Sequence, residues 1–171
     1  MPPTTRTPGI VQIPRPTTSF PGLVRRPQIH AKHRLDGDLH VVGYRDGERD
    51  GATFDAVLAT LRRRDGDAVV VGGAVELQIG GDALALDLTV NRDTIEAITV
   101  HDAPLGTAFR HLLFDLLRCG PYLLFRGDLG RLVHAGRLQP HDVPAEILDG
   151  LGPLVVVADA DALAGHLADA A

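Results

Sequence analysis

Between residues 68 and 90 the chain alternates apolar and polar positions in three short runs, 68–71, 74–79 and 82–90, with a Gly-Gly pair after each of the first two. A period of two marks strands with one buried face, and Gly-Gly supplies the positive φ that two-residue hairpin turns require. The register follows. With Gly80-Gly81 as a loop, Leu77 faces Leu84 and Val75 faces Leu86; with Gly72-Gly73 as another, Val70 faces Val75. All five side chains then share one side, while Glu76, Gln78, Ala85 and Asp87 take the other. A fourth strand over 94–100 is expected to continue the meander through the turn Asn91-Arg92-Asp93.

On either side the period changes. Phe54, Val57, Leu58 and Leu61 recur at helical spacing, so a helix is predicted over 52–64, with Arg62, Arg63 and Arg64 complementing its C-terminal dipole and Asp65-Gly66 ending it. A second helix is predicted over 103–118, capped by Asp102 with Pro104 in its first turn. Its apolar stripe of Leu105, Ala108, Phe109, Leu112, Leu113, Leu116 and Leu117 should roof the meander.

The run 39–44 reads as a strand leading into a turn-rich stretch over 45–51, and 122–125 reads as another strand. Residues 129–138 suit either strand or helix. Beyond them the pattern predicts a short helix capped by Asp142 and running to Leu148, a buried strand over 154–157, and a terminal helix begun by Asp159 or Asp161. The fold class implied is α+β: an antiparallel meander at about 68–100 packed by amphipathic helices, with a mixed βα C-terminal part.

Residues 1–35 differ in kind. Seven of the twelve prolines fall within the first 27 residues, and no apolar period survives there, which predicts a flexible, extended arm ahead of a single α+β domain over 36–171. Two stickier pieces, around Ile10, Val11 and Ile13 and around Phe20 and Leu23, together with Arg15, Arg25 and Arg26, are the candidates for docking on a partner or a sister subunit, because extended apolar segments pair with open sheet edges.

Charge sharpens the division. The arm holds six basic side chains and no acid, whereas residues 36–171 hold 22 acids against 11 bases and carry a formal charge of −11. So acidic a domain repels phosphate backbones, so nucleic acid is not an expected partner. No segment approaches the length of a membrane span or a signal peptide, and the single cysteine, Cys119, excludes a disulfide framework, so a cytoplasmic protein is expected. Sixteen arginines against one lysine, with abundant alanine, glycine and aspartate, suggest a GC-rich, bacterial coding sequence.

The chemical inventory is sparse. The only serine is Ser19 and the only lysine is Lys32, both in the arm, so neither a serine nucleophile nor a P-loop or Schiff-base lysine belongs to the domain. Cys119 follows a predicted helix C-terminus, where the dipole disfavours thiolate. His111, His134 and His141 with Asp115 match no compact metal-binding spacing. The stretch Asp46-x-Glu48-x-Asp50-Gly51 imitates the start of a calcium loop, but its twelfth position is Val57 where a bidentate glutamate is needed. The run Arg62 to Arg64 reads as a solvated helix end. No catalytic residue, cofactor or metal is expected.

A shift of 55 residues superposes Phe54, Val57, Leu58, Leu61, Val69 and Val70 on Phe109, Leu112, Leu113, Leu116, Leu124 and Phe125. With Ala103-Pro104-Leu105 and Gly130-Arg131-Leu132-Val133, this helix-turn-strand repeat resembles that of CBS domains, which would imply binding of adenosine nucleotides. Arg137 and Pro140 stand where that family has a threonine and an aspartate, so no ligand residue carries over. The element order is also similar to that of type III secretion chaperones and YbjN-like proteins, which implies a dimer binding extended client segments. The expectation is a non-catalytic protein-binding module, a chaperone, adaptor or immunity-type protein, whose partner is another protein, with a homodimer possible and no membrane or nucleic acid involved. The alternatives are a nucleotide-sensing module of CBS-like kind and a small enzyme built on acids and histidines.

Overall fold

The computed structural model describes residues 34, 35, 37–126 and 130–168, so the docking candidates of the arm, Ile10 to Arg26, lie outside the described residues. Within the described residues fifteen short elements build one ten-stranded sheet with four α-helices and a 3-10 turn, an α+β fold.

The meander has the expected register. Val70 pairs with Val75, Val75 with Leu86 and Leu77 with Leu84 across β4 (Val69–Val71), β5 (Ala74–Ile79) and β6 (Asp82–Asn91). Both turns place two glycines at positive φ, Gly72 and Gly73 at 60° and 88°, Gly80 and Gly81 at 61° and 93°. These are the values a type I′ hairpin turn demands. β7 (Thr94–His101) continues the ladder, with a bulge between Thr89 and Val90.

The sheet's centre is β1 (Leu39–Arg45), which lies antiparallel between β7 and β8 (Tyr122–Phe125). Beyond β8 come β9 (Leu132–His134) and, parallel to it, β10 (Leu154–Val156), in the order β10-β9-β8-β1-β7-β6-β5-β4. Two fragments stand off this path: β2 (Glu48–Arg49) makes a hairpin with β1, and β3 (Ala52–Thr53) pairs with β7. β1 is buried on both sides, Leu39 and Val41 toward one core and Val42 and Tyr44 toward another. A near-continuous apolar run is what such an internal strand needs.

On the inner face α1 (Phe54–Arg64), α2 (Thr107–Cys119) and α4 (Ala160–Ala168) cover the apolar side of the meander. Leu112, Leu113, Leu116 and Leu117 of α2 are at most 1% exposed. Burying a leucine fully contributes about 1.5–3 kcal/mol, so these four anchor the fold. On the outer face a 3-10 turn (Pro140–Asp142) and α3 (Ala145–Leu151) close a smaller core over Val42, Tyr44, Leu123, Leu132, Leu138 and Val143.

Several boundaries differ from the sequence reading. α1 begins at Phe54 because Ala52 and Thr53 are taken by β7, and the Thr53 hydroxyl accepts from the Ala56 amide instead. α2 begins at Thr107 with Gly106 as its cap. Residues 102–104 are drawn onto the entering chain, where Leu35 donates to the Ala103 carbonyl and the Arg34 guanidinium to that of Asp102. Asp142 caps no α-helix; it closes the 3-10 turn by accepting from the Gln139 amide, and α3 starts after Pro144. Residues 132–134 are strand, and β10 is an edge strand with Val156 exposed rather than a buried one.

Candidate functional site

Among the described residues the outer face of the sheet is covered over one end only. Across β4 to β7 it presents two rows set by the strand registers, Val69-Glu76-Ala85-His101 and Val71-Ala74-Asp87-Thr99. None of the eight is buried, and Val69 and Val71 are 58% and 73% exposed. β4 is also a sheet edge. Since the Gly72-Gly73 turn makes Val71 and Ala74 the closing hydrogen-bonded pair, the N–H and C=O of Val70 point away from β5 into the open.

The entering chain is tied to the rim of this face. Arg34 donates to the carbonyls of Asp102 and Ala83 at 3.0 and 3.2 Å. His101 lies between two carboxylates, Nε2 at 2.8 Å from Asp87 and Nδ1 at 2.9 Å from Asp38. Both hydrogen bonds, that to Asp87 foremost, raise its pKa above the usual histidine value, because they favour the imidazolium.

Two adjoining clefts open at the other end of the helices, with Cys119 and Arg137 in the walls of both. The larger, about 340 Å³, is floored by Gly51, Ala52, Gly120 and Pro121 and flanked by Arg45 and Asp142. The smaller, about 220 Å³, is walled by Arg63, Asp115 and Arg118. Glycine is obligatory in that floor. A Cβ on Gly51 would lie 1.8 Å from the Ile95 carbonyl oxygen, and one on Gly120 would lie 2.9 Å from the Ala52 nitrogen. Beneath the glycines the buried Tyr122 hydroxyl donates to the Ile95 carbonyl at 2.6 Å and accepts from the Ala52 amide at 3.1 Å, locking β3 to β7 and β8.

Cys119 is the nucleophilic atom of these walls, and its chemistry is quiet. Its thiol donates to the Leu116 carbonyl at 3.1 Å, and burial pushes its pKa up to about 11 against the opposing pull of Thr60, Arg137 and Arg63. At neutral pH it remains a thiol, and thiolate is the attacking species.

The conceivable histidine metal set is not assembled. His111 is exposed on α2, and His134 is buried on β9, where loss of solvation lowers its pKa and Nδ1 has no hydrogen-bond partner. His141 instead meets Asp46 and Asp142, their ligand atoms within 4.8 Å of one another. Both Asp142 oxygens already accept backbone amides, from Asp46 and Gln139, and these, the Gln139 bond foremost, hold its pKa low. The calcium-like loop does not converge as a ligand ring: Asp50 is bound to Arg45 at 2.6 Å, and Glu48 and Arg49 form β2. Of the run Arg62 to Arg64, Arg62 reaches the Ala68 carbonyl and Arg64 pairs with Asp115. Arg63 turns into the smaller cleft, which linear spacing could not reveal, since Arg118 and Arg137 arrive there from other elements.

Fold and surface define a small α+β protein whose sheet is roofed on one side and half covered on the other, with an arginine-walled cleft at the helix ends. Compared with protein-family models, curated proteins and solved structures, the chain finds no match.

Proposed function

We propose that the protein is a non-catalytic binding module that receives an extended segment of another protein on the uncovered half of its sheet and along the β4 edge. The observation that carries this reading is the pair Val69 and Val71, large apolar side chains left in the open on an edge strand whose Val70 backbone groups are free to pair. Extended segments bind such edges through main-chain hydrogen bonds, with side-chain pockets adding selectivity. The alanines of β5 and β6 leave room for such side chains, and Glu76 favours a basic one. The chain's own arm has that character, apolar around Ile10 to Ile13 and Phe20 to Leu23 and basic throughout. The quiet thiol of Cys119 supports binding over catalysis. No helix among the described residues is long and apolar enough to cross a membrane.

The test replaces Val69 and Val71 together by threonine, which keeps β-branched shape and strand preference. Partners cross-linked to the wild-type chain in extracts of its host are expected to fall away with the double variant, while circular dichroism stays unchanged. An identical set of partners on both proteins would remove this face from the function.

A further inference from the structure

We propose that the two clefts joined at Arg137 form a binding site for a small phosphate monoester, the phosphate held by Arg63, Arg118 and Arg137 and the rest of the molecule lying over the glycine floor. This goes beyond the docking of a protein on the sheet, which involves a different surface.

The argument begins with charge. In a domain of formal charge −11, five of the eleven bases beyond residue 35 line or border these clefts: Arg45, Arg63, Arg64, Arg118 and Arg137. Several are already engaged. Arg45 is bound to Asp50, and Arg64 occupies Asp115, the one acid in the smaller cleft. The other three have no carboxylate among the described residues. Arg63 donates to the Thr60 hydroxyl at 3.0 Å, Arg118 lies 5.8 Å from the centre of the Phe114 ring, and Arg137 has no hydrogen bond or ion pair among the described residues.

Arginines at helix C-termini are ordinary, because the dipole favours them, and that accounts for Arg63 and Arg118 one at a time. It does not account for Arg137, which arrives from the loop after β9 and stands in the wall of both clefts. Three guanidiniums brought to one concave wall repel one another, and a cleft lined by one sign of charge concentrates its counter-ion. Guanidiniums bind phosphate oxygens through paired N–H donors, and three of them suit a dianion better than a single carboxylate.

Size and floor give the remainder. A phosphate group alone would leave the larger cleft empty, whereas the two volumes together reach the range of small-molecule sites. Gly51, Ala52, Gly120 and Pro121 line the larger cleft without a charged side chain, and Asp142 at the far wall keeps lone pairs for a hydroxyl donor. Because Cys119 stays a thiol, the site holds its ligand without attacking it.

Titration calorimetry of the full chain with glucose 6-phosphate, inorganic phosphate and glucose tests this. Glucose 6-phosphate is expected to bind, inorganic phosphate more weakly and glucose not at all. Arg137→Ala should weaken binding of the sugar phosphate about tenfold or more, as loss of a charged hydrogen-bond donor does. Its melting temperature should hold, since Arg137 bonds to no other side chain among the described residues. Arg92→Ala, in the distant β6–β7 turn, should bind as the wild type does. Equal binding by Arg137→Ala, equal binding of inorganic phosphate and the sugar phosphate, or no binding of either at about ten millimolar, well above ordinary metabolite-site constants, would overturn the proposal.

Discussion

At the scale of single residues, two histidines with opposite environments make stability depend on pH in opposite senses. His101, between Asp87 and Asp38, has its folded pKa raised, so it takes up its proton more readily in the folded chain. Its contribution is therefore complete below the unfolded value near 6.5 and disappears as pH rises through the folded value. His134, buried with an unpartnered Nδ1, has its pKa lowered by desolvation, so stability is lost as pH falls below that same unfolded value. His101→Gln isolates the first effect, because His134 is common to both proteins. In urea titrations the wild type is expected to exceed the variant most at about pH 5.5 and to approach it by about pH 9. A difference that does not change with pH would show that the two aspartates do not hold an imidazolium. The tie matters for architecture, since Asp38 and Arg34 hold the start of the described chain to the sheet.

At the scale of elements, α2 is the organising piece. It packs against α1, α4 and the inner face of the sheet, and its end supplies Arg118 and Cys119 to the clefts. Leu116→Ala, at a position 1% exposed, is expected to cost about 2–5 kcal/mol by chemical denaturation, the usual range for a buried leucine truncated to alanine. A loss under about 1 kcal/mol would mean that the helix can collapse onto the space left behind. The stripe of α2 was legible in the sequence because a 3.6-residue period survives any partner, and Leu112, Leu113, Leu116 and Leu117 are all in the core. Its first turn was not. Asp102 and Pro104 make good local helix starters, yet the segment is claimed by pairing with Arg34 and Leu35, a contact 68 residues away in sequence. Similarly, Phe114 is buried although it falls off the stripe, and no periodicity distinguishes it. The helix-turn-strand repeat at 55 residues is also present as α1–β4 and α2–β8, but the two strands take unlike places, one at the sheet edge and one next to the central strand.

At the scale of the whole molecule, the charge division between arm and domain carries the remaining prediction. A basic, apolar-tipped N-terminal segment and an acidic remainder of the chain are expected to attract one another, within a chain or between two copies, by a Coulomb term that salt screens over about 10 Å at 0.1 M. Deleting residues 1–27 should therefore change either the mass measured by light scattering at low salt or the affinity for a partner, and the change should shrink as salt is raised. Unaltered mass and affinity at every salt concentration would take the arm out of the mechanism. The expected route is electrostatic attraction followed by pairing at β4, where the exposed valines stand.

What the sequence determined by itself was everything set by local period and turn chemistry. Alternation and the Gly-Gly turns specified the register of β4, β5 and β6, since a slip of one position would have turned every buried side chain outward. The same reading isolated the charged arm and the shortage of nucleophiles. Only the tertiary structure decided that β1 sits at the sheet's centre, that the outer face is covered at one end alone, and that Arg63, Arg118 and Arg137 meet. Those facts depend on which distant segments pay least entropy to pair and which apolar faces find cover, and neither is written in the spacing of residues along one segment.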